Sequence, residues 1–231
     1  MSNKLDEALS YDDVLLIPQY SDIRSRTEVS TATDLGNGLV LSLPIIASPM
    51  DTISESAMAI AIGNVGGTAI IHRYNGIEMQ SRMVSLAQEV SGHKSRANIN
   101  IGGAVGISGD FIERAQTLLQ SGATFLCIDV AHGHHVLMQE AIEKLRMSIG
   151  EDVHIMAGNV ATLEGINDLA DLGADSVRCN IGGGSICSTR VQTGHGVPGL
   201  QTVIDCSKTD RKVTVIADGG IRNSGDMVKA F

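Results

Sequence analysis

Ile99-Asn-Ile-Gly-Gly-Ala-Val105, Asp110-Phe-Ile-Glu-Arg-Ala-Gln-Thr-Leu-Leu-Gln120 and Thr124-Phe-Leu-Cys-Ile-Asp-Val130 follow one another along the chain. The outer two are short, apolar and bounded by turn residues, as a strand buried on both faces requires. The middle one places Ile112, Ala115, Leu118 and Leu119 on one helical face, with Asp110 where an N-cap belongs. Gly122 stands just past its end, where a left-handed C-cap favours glycine. Strand, helix, strand in this order predicts a parallel β-α-β unit.

The same unit recurs on both sides. Further strands are predicted at Pro44–Ser48, Thr68–His72, Val153–Ala157, Ser176–Cys179 and Val213–Ala217, with helices at Glu55–Gly63, Glu78–Val90, Val136–Ser148 and Leu163–Leu172. Gly173 repeats the C-cap signal. Doubly wound sheets and (β/α)8 barrels both fit such alternation. Ser48, Asp51, His72, Asp129, Asn159, Cys187 and Asp218 all fall at or just after strand C-termini, and a barrel gathers those loops around one site. No Gly-x-Gly-x-x-Gly opens the first unit, against a dinucleotide-binding open sheet. The expectation is a (β/α)8 TIM barrel forming one catalytic domain over residues 1–231. Seven strands are present and the eighth is missing, because the chain ends at Phe231 inside a predicted helix, Asp226–Phe231.

Hydrophobic residues make up 43% of the 231, enough for a real core. The longest apolar runs, such as Leu43–Ala47, are too short to cross a bilayer, and Met1–Tyr11 is polar and acidic, unlike a signal peptide. A soluble cytoplasmic protein is expected, with no membrane partner. Net charge is −9 and the basic residues are scattered singly, so no nucleic-acid footprint is visible. A phosphorylated ligand must then lean on backbone N–H groups, which the 26 glycines suit. The four cysteines show no CxxC spacing, and neither zinc pairing nor a disulfide framework is expected.

Three segments carry chemistry. In Asn180-Ile-Gly-Gly-Gly-Ser-Ile-Cys-Ser-Thr-Arg190, three glycines let the backbone approach a ligand or ion closely, and Ser185 and Cys187 add a hydroxyl and a thiol. Cysteine is the best side-chain nucleophile at neutral pH. The bland alternative is a flexible loop with a structural cysteine. In Ile216-Ala-Asp-Gly-Gly-Ile-Arg222, the Asp218 carboxylate can accept from a vicinal diol, and the amides of Gly219 and Gly220 suit a phosphate. A plain strand–helix turn would read the same. In Ile128-Asp-Val-Ala-His-Gly-His-His135, His132 and His134 could chelate a metal with Asp129. Otherwise this is a polar loop at a barrel mouth. Asn159, in Ala157-Gly-Asn-Val160, offers donor and acceptor at another strand end.

Taken together, these segments resemble the IMP dehydrogenase/GMP reductase family. Its signatures stand here in order as Tyr11-Asp-Asp-Val-Leu-Leu-Ile-Pro18, Ser48-Pro-Met-Asp-Thr52, Asp129-Val-Ala-His-Gly133, Ala157-Gly-Asn-Val160, the Gly182–Thr189 loop and Ala217-Asp-Gly-Gly220. The resemblance implies a (β/α)8 barrel, assembled as a homotetramer, acting on IMP or GMP with NAD or NADP. Cys187 would attack C2 of the purine, with Thr189 beside it. Ser185, Gly219, Gly220 and the glycine loop would meet the phosphate, Asp218 the ribose, and Ser48 and Met50 the nucleotide pocket. Asp129, Asn159 and Gly182 resemble positions near the nicotinamide cofactor. The carbonyls of Gly182, Gly184 and Cys187 resemble a monovalent-cation (K+) loop.

The chain departs from the family pattern in three places. The usual Gly-Ile-Gly-Pro-Gly-Ser reads Asn180-Ile-Gly-Gly-Gly-Ser, losing a proline. The regulatory CBS pair is absent, since about 27 residues lie between Ile71 and Ile99. Everything after the seventh strand is missing, so the chain alone is expected to be inactive. Ser48-Pro-Met-Asp-Thr52, Gly102-Gly-Ala-Val-Gly106 and Gly194-His-Gly-Val-Pro198 resemble dehydrogenases; Ser25-Arg-Thr-Glu28, His72-Arg73 and the missing CBS pair resemble reductases. The reading leans to oxidation of IMP. GMP reduction, a non-catalytic nucleotide-binding paralogue and a histidine-based metal hydrolase are the alternatives.

Overall fold

The computed structural model describes residues 7–95 and 99–231; the first six residues of the polar N-terminal stretch lie outside it. An antiparallel hairpin, β1 (Thr33–Asp34) and β2 (Val40–Leu41), comes first. Then follow β3 (Ile46–Ala47), α1 (Ser56–Gly63), β4 (Thr68–Ile71), α2 (Ile77–Ser95), β5 (Ile101–Val105), α3 (Phe111–Gln120), β6 (Phe125–Asp129) and α4 (Val136–Ile149). The chain continues with β7 (His154–Val160), α5 (Leu163–Asp171), β8 (Ser176–Cys179), α6 (Thr189–Thr193), α7 (Gly199–Cys206), β9 (Thr214–Ala217) and α8 (Ser224–Ala230). Strands β3 to β9 form one parallel sheet in sequence order. The sheet curls: Ser48, just after β3, donates its hydroxyl to Asp218, just after β9, at 2.6 Å. These are seven strands of a (β/α)8 barrel, the architecture expected from the polar residues at the strand C-termini.

Side-chain parity builds two apolar layers. On β6, Leu126 and Ile128 face the helices, where they pack with Leu118, Met138, Ile142 and Ile166. Phe125 and Cys127 face the barrel interior beside Ile70, Ala104 and Met156, over a floor made by Leu35, Leu39 and Leu41 of the hairpin region. Phe125 pairs in register with Gly102, and a Cβ there would lie 2.4 Å from the Phe125 ring. Only glycine leaves room for the ring. Among the described residues no helix is long and apolar enough to cross a membrane.

Most elements lie within two residues of the expected ranges, with local corrections. Asp110 does not cap α3: its φ/ψ of −81°/9° is not extended, and its carboxylate pairs instead with buried Arg114, 2.8 Å away. Cation pairing outbids the cap because Arg114 also bridges to Gln80 and Asn75 across the helix layer. Gly122 and Gly173 do hold the left-handed C-cap positions, with φ of +98° to +100°. Strand β7 runs on to Val160 through a register shift against β8. Helix α7, which crosses from β8 to β9, was not expected from the sequence; its glycine and β-branched residues blur the helical period.

Near the barrel floor, His154 is 1% exposed and sits edge-on to Phe125. Its Nδ1–H donates to the Gly36 carbonyl at 2.9 Å, so Nε2 accepts from the Ser176 hydroxyl at 2.8 Å. Burial is the largest influence on this imidazole and holds its pKa below the ordinary value. The unfolded chain titrates near 6.5. Below that pH it takes up a proton the folded state refuses, so stability should fall with pH, by at most about 1.4 kcal/mol per pH unit. Urea unfolding midpoints between about pH 7.5 and about pH 5.5 test this. His154→Gln should be less stable throughout but flatter in that window.

Candidate functional site

The site lies where the strands end. After Phe125 and Cys127 the next inward position on β6 is Asp129; after Ser176 on β8 it is Arg178. The Arg178 side chain is 6% exposed and its guanidinium donates to Asp129 Oδ1 at 2.6 Å and Asp218 Oδ2 at 2.8 Å. Asp218 also accepts from Ser48 Oγ and from Asn159 Nδ2, both at 2.6 Å. Burial alone would raise the Asp218 carboxyl, but Arg178, Ser48 and Asn159 outweigh it and hold its pKa below the ordinary value. Asn159 reaches inward because the register shift between Gly158 and Val160 frees it from the β7–β8 ladder.

Above this layer runs the loop from Asn180 to Ser188, which ends in α6. Cys187 is partly exposed, whereas Cys127, Cys179 and Cys206 are buried. A hydrogen bond from the Thr189 hydroxyl is the main cause of a Cys187 pKa below the ordinary thiol value; burial opposes it, and the amides of Thr189, Gly182 and Arg190 assist. Burial pushes the Cys127 thiol up to about 12. One thiol is therefore both reachable and readily ionised.

A cavity of about 420 Å³ joins these groups: Cys187, Thr189, Gly182 and Gly184 on one side, Asp129, Asn159, Arg178, Asp218 and Gly219 on the other, with Arg73 and Tyr74 at the rim. It shares Ile181, Gly182 and Gly183 with a second cavity of about 600 Å³, which holds Ser185, Gly220, Arg190, Arg222 and Tyr11. The amides of Gly184, Ser185, Gly219 and Gly220 donate to no group of the chain among the described residues. Ser48 touches the site only through Asp218, and Met50 lines neither cavity. Asp51 and His72 pair with each other at 3.9 Å, outside the Cys187 cavity.

The histidine cluster stands apart as well. His134 pairs with Asp168 at 2.8 Å, and His135 caps α4 by accepting the Leu137 N–H. Among the described residues no three His, Cys, Asp or Glu side chains are grouped to hold a metal. A monovalent cation has different needs, and the Gly182, Gly184 and Cys187 carbonyls could serve it. The Gly184 carbonyl already accepts the Cys187 N–H at 3.1 Å and keeps one lone pair. Toward a nicotinamide cofactor, the 420 Å³ cavity offers the Asp129 carboxylate as a hydroxyl acceptor and the Tyr74 ring, 60% exposed, as a flat face.

Sequence reasoning missed Arg178, Arg73 and Tyr74. Parity was the available signal for Arg178, since it shares the inward register of Ser176.

The family model described as IMP dehydrogenase / GMP reductase domain matches residues 8–231. An inosine-5′-monophosphate dehydrogenase from Borreliella burgdorferi is 36% identical over 282 residues, covering 100% of this chain and 68% of its own length. A GMP reductase from Leishmania major is 29% identical over 356 residues, covering 98% of this chain and 72% of its own. The crystal structure of a GMP reductase from Trypanosoma brucei matches with a TM-score of 0.93 at 28% identity, covering 99% of this chain and 79% of that one. Another crystal structure of the Trypanosoma brucei reductase, in complex with guanosine 5′-monophosphate, gives 0.92.

Two outcomes follow from the geometry. Alkylation of Cys187 by iodoacetamide should show a midpoint pH below that of a free thiol, and Thr189→Val should raise it; an unchanged midpoint would remove Thr189 from the thiol's environment. Arg178→Met should leave Asp129 and Asp218 as facing buried carboxylates and cost about 3–5 kcal/mol of stability by denaturant unfolding.

Proposed function

The chain belongs to the IMP dehydrogenase/GMP reductase family of oxidoreductases, and we propose that it oxidises IMP to XMP through a covalent adduct on Cys187. The observation that carries this reading is the reach and lowered pKa of one thiol, Cys187, in a cavity whose opposite wall holds Asp129, Arg178 and Asp218.

C2 of the purine lies between two nitrogens and is electrophilic. The Cys187 thiolate adds there and makes a tetrahedral adduct. NAD(P), when bound, takes up or supplies the hydride at that carbon. Water then adds to the thioimidate, breaks the C–S bond and leaves XMP with the thiol restored. Thr189 favours the thiolate before attack and after release. Asp218 orients the ribose by accepting its hydroxyls, while the unused amides of Gly184, Ser185 and Gly220 and the Ser185 hydroxyl receive the phosphate. Asp129 and Tyr74 hold the nicotinamide end. The carbonyls of Gly182, Gly184 and Cys187 hold a monovalent cation that stiffens the loop. Leu15, Ile17 and Tyr20, exposed by 80% or more, support the homotetramer that family membership implies.

Dehydrogenase-like segments Ser48–Thr52, Gly102–Gly106 and Gly194–Pro198, and the 36% identity to a dehydrogenase, favour this direction. The likeness to a reductase crystallised with GMP favours the other, in which ammonia leaves C2 of GMP and NADPH reduces it. Incubation with a 6-chloropurine ribonucleotide should place one adduct, on Cys187 by peptide mapping. Incubation of a chain extended to the length of its relatives with IMP and NAD should yield XMP by chromatography. IMP and ammonia from GMP and NADPH instead would transfer the chain to the reductases. Labelling of Cys127, Cys179 or Cys206 with Cys187 untouched would overturn the nucleophile.

A further inference from the structure

Asn180 opens the cysteine loop in a backbone conformation that suits glycine, with φ of +152°. Its side chain is buried and turned beneath the loop. Nδ2 donates to the Asp218 carbonyl at 2.8 Å and to the Gly219 carbonyl at 3.3 Å. Its own carbonyl accepts from Asn159 at 3.0 Å, and its N–H donates to Val160 at 2.9 Å. Oδ1 is buried without a partner, so the carboxamide is held by its donor side alone. A non-glycine residue thus sits in strained backbone, with an unmet acceptor, and links three strand ends.

The space around it explains the arrangement. A Cβ on Gly183 would lie 2.3 Å from Asn180 Nδ2 and 2.6 Å from Oδ1. The carboxamide therefore fills the volume that a side chain at position 183 would occupy. The two places where this loop departs from the Gly-Ile-Gly-Pro-Gly-Ser pattern, positions 180 and 183, are one contact in space. Proline at 183 with glycine at 180 would stiffen the loop through the chain itself. Asparagine at 180 with glycine at 183 ties it from below.

We propose that Asn180 is a positioning residue for the nucleophile: its carboxamide takes over the role of a proline at 183 and holds the Cys187 loop against the Asp218–Gly219 turn. This rests on the reading of Cys187 as the nucleophile. The exchange is sterically reversible. Gly183 does not have positive φ, its amide donates to no group of the chain, and the three atoms nearest its Cβ all belong to Asn180, so neither backbone sign nor a hydrogen bond bars proline there once that side chain is gone.

The test is a double-mutant cycle in the whole chain with Asn180→Gly, Gly183→Pro and the pair. Each single variant should slow 6-chloropurine ribonucleotide labelling of Cys187 by about tenfold or more, because a small misplacement of a reacting group is costly. Each should also raise the pH midpoint of Cys187 alkylation. The pair should recover to within about threefold of the starting rate, with the thermal midpoint little changed. A pair as slow as the worse single variant, or an Asn180→Gly chain that labels normally, would overturn the proposal. Hydrogen exchange of amides 181–188 gives a readout independent of the nucleophile: protection should fall in each single variant and return in the pair. If Cys187 is not labelled in the unaltered chain, the nucleophile reading fails, and exchange alone decides whether Asn180 holds the loop.

Discussion

Arg178 brings a guanidinium into the barrel between two carboxylates, Asp129 and Asp218, with its side chain 6% exposed. Neither acid could stand there ionised alone, because a buried unpaired charge costs several kcal/mol. Burial works against the guanidinium too, but Asp218 and Asp129 more than offset it and raise its pKa above the ordinary value. The planar fork reaches both partners at once, which a lysine could not do. That bridge joins β6, β8 and the end of β9. Through Asp218 it extends to Ser48 beyond β3 and to Asn159 of β7. The curl of the sheet and the polar layer at its mouth are therefore one network.

This network carries one more negative charge than positive. A thiolate sharing the same cavity gains nothing from it overall. The lowered pKa of Cys187 accordingly comes from dipoles close at hand, the Thr189 hydroxyl and nearby amides, and not from a cation. The division is a physical one. Strand positions supply a rigid, charged wall, while a glycine-rich loop supplies short-range donors to the group that must change charge. It also makes the thiol sensitive to loop position, because hydrogen-bond donation falls off faster with distance than Coulomb attraction does.

The strands were legible because each is a short apolar run bounded by turn residues, and the β4 to β9 ranges hold to within two residues except at the end of β7, which runs three residues further. The loop residues around the site were legible by type: Cys187, Asp129, Asn159 and Asp218 do meet at one cavity. What failed was anything set by long-range partners. Asp110 has the identity of a cap, but Arg114 four residues on, anchored by Gln80 and Asn75, claims its carboxylate. Arg178 breaks an apolar strand and so reads as noise until its neighbours across the barrel are known. Met50 and His72 have suitable chemistry at strand ends, yet they lie outside the cavity. Nothing in a one-dimensional pattern separates them from Asn159.

The near-saturation of Asp218 bears on how the proposed nucleotide would enter. An ionised carboxylate has about four acceptor sites, and Ser48, Asn159 and Arg178 already use three. A ribose diol needs two. The Arg178 and Asn159 contacts belong to the buried network and are expensive to break. Ser48 is different, since its hydroxyl can rotate to another acceptor. A diol replacing the Ser48 donor exchanges one O–H···O bond for another, which is nearly neutral. Before binding, the same Ser48 contact keeps the carboxylate satisfied and joins the ends of β3 and β9. Under the proposed role of Asp218, a hydroxyl of the protein stands in for a hydroxyl of the ligand, and the pocket need not hold a bare acceptor before binding.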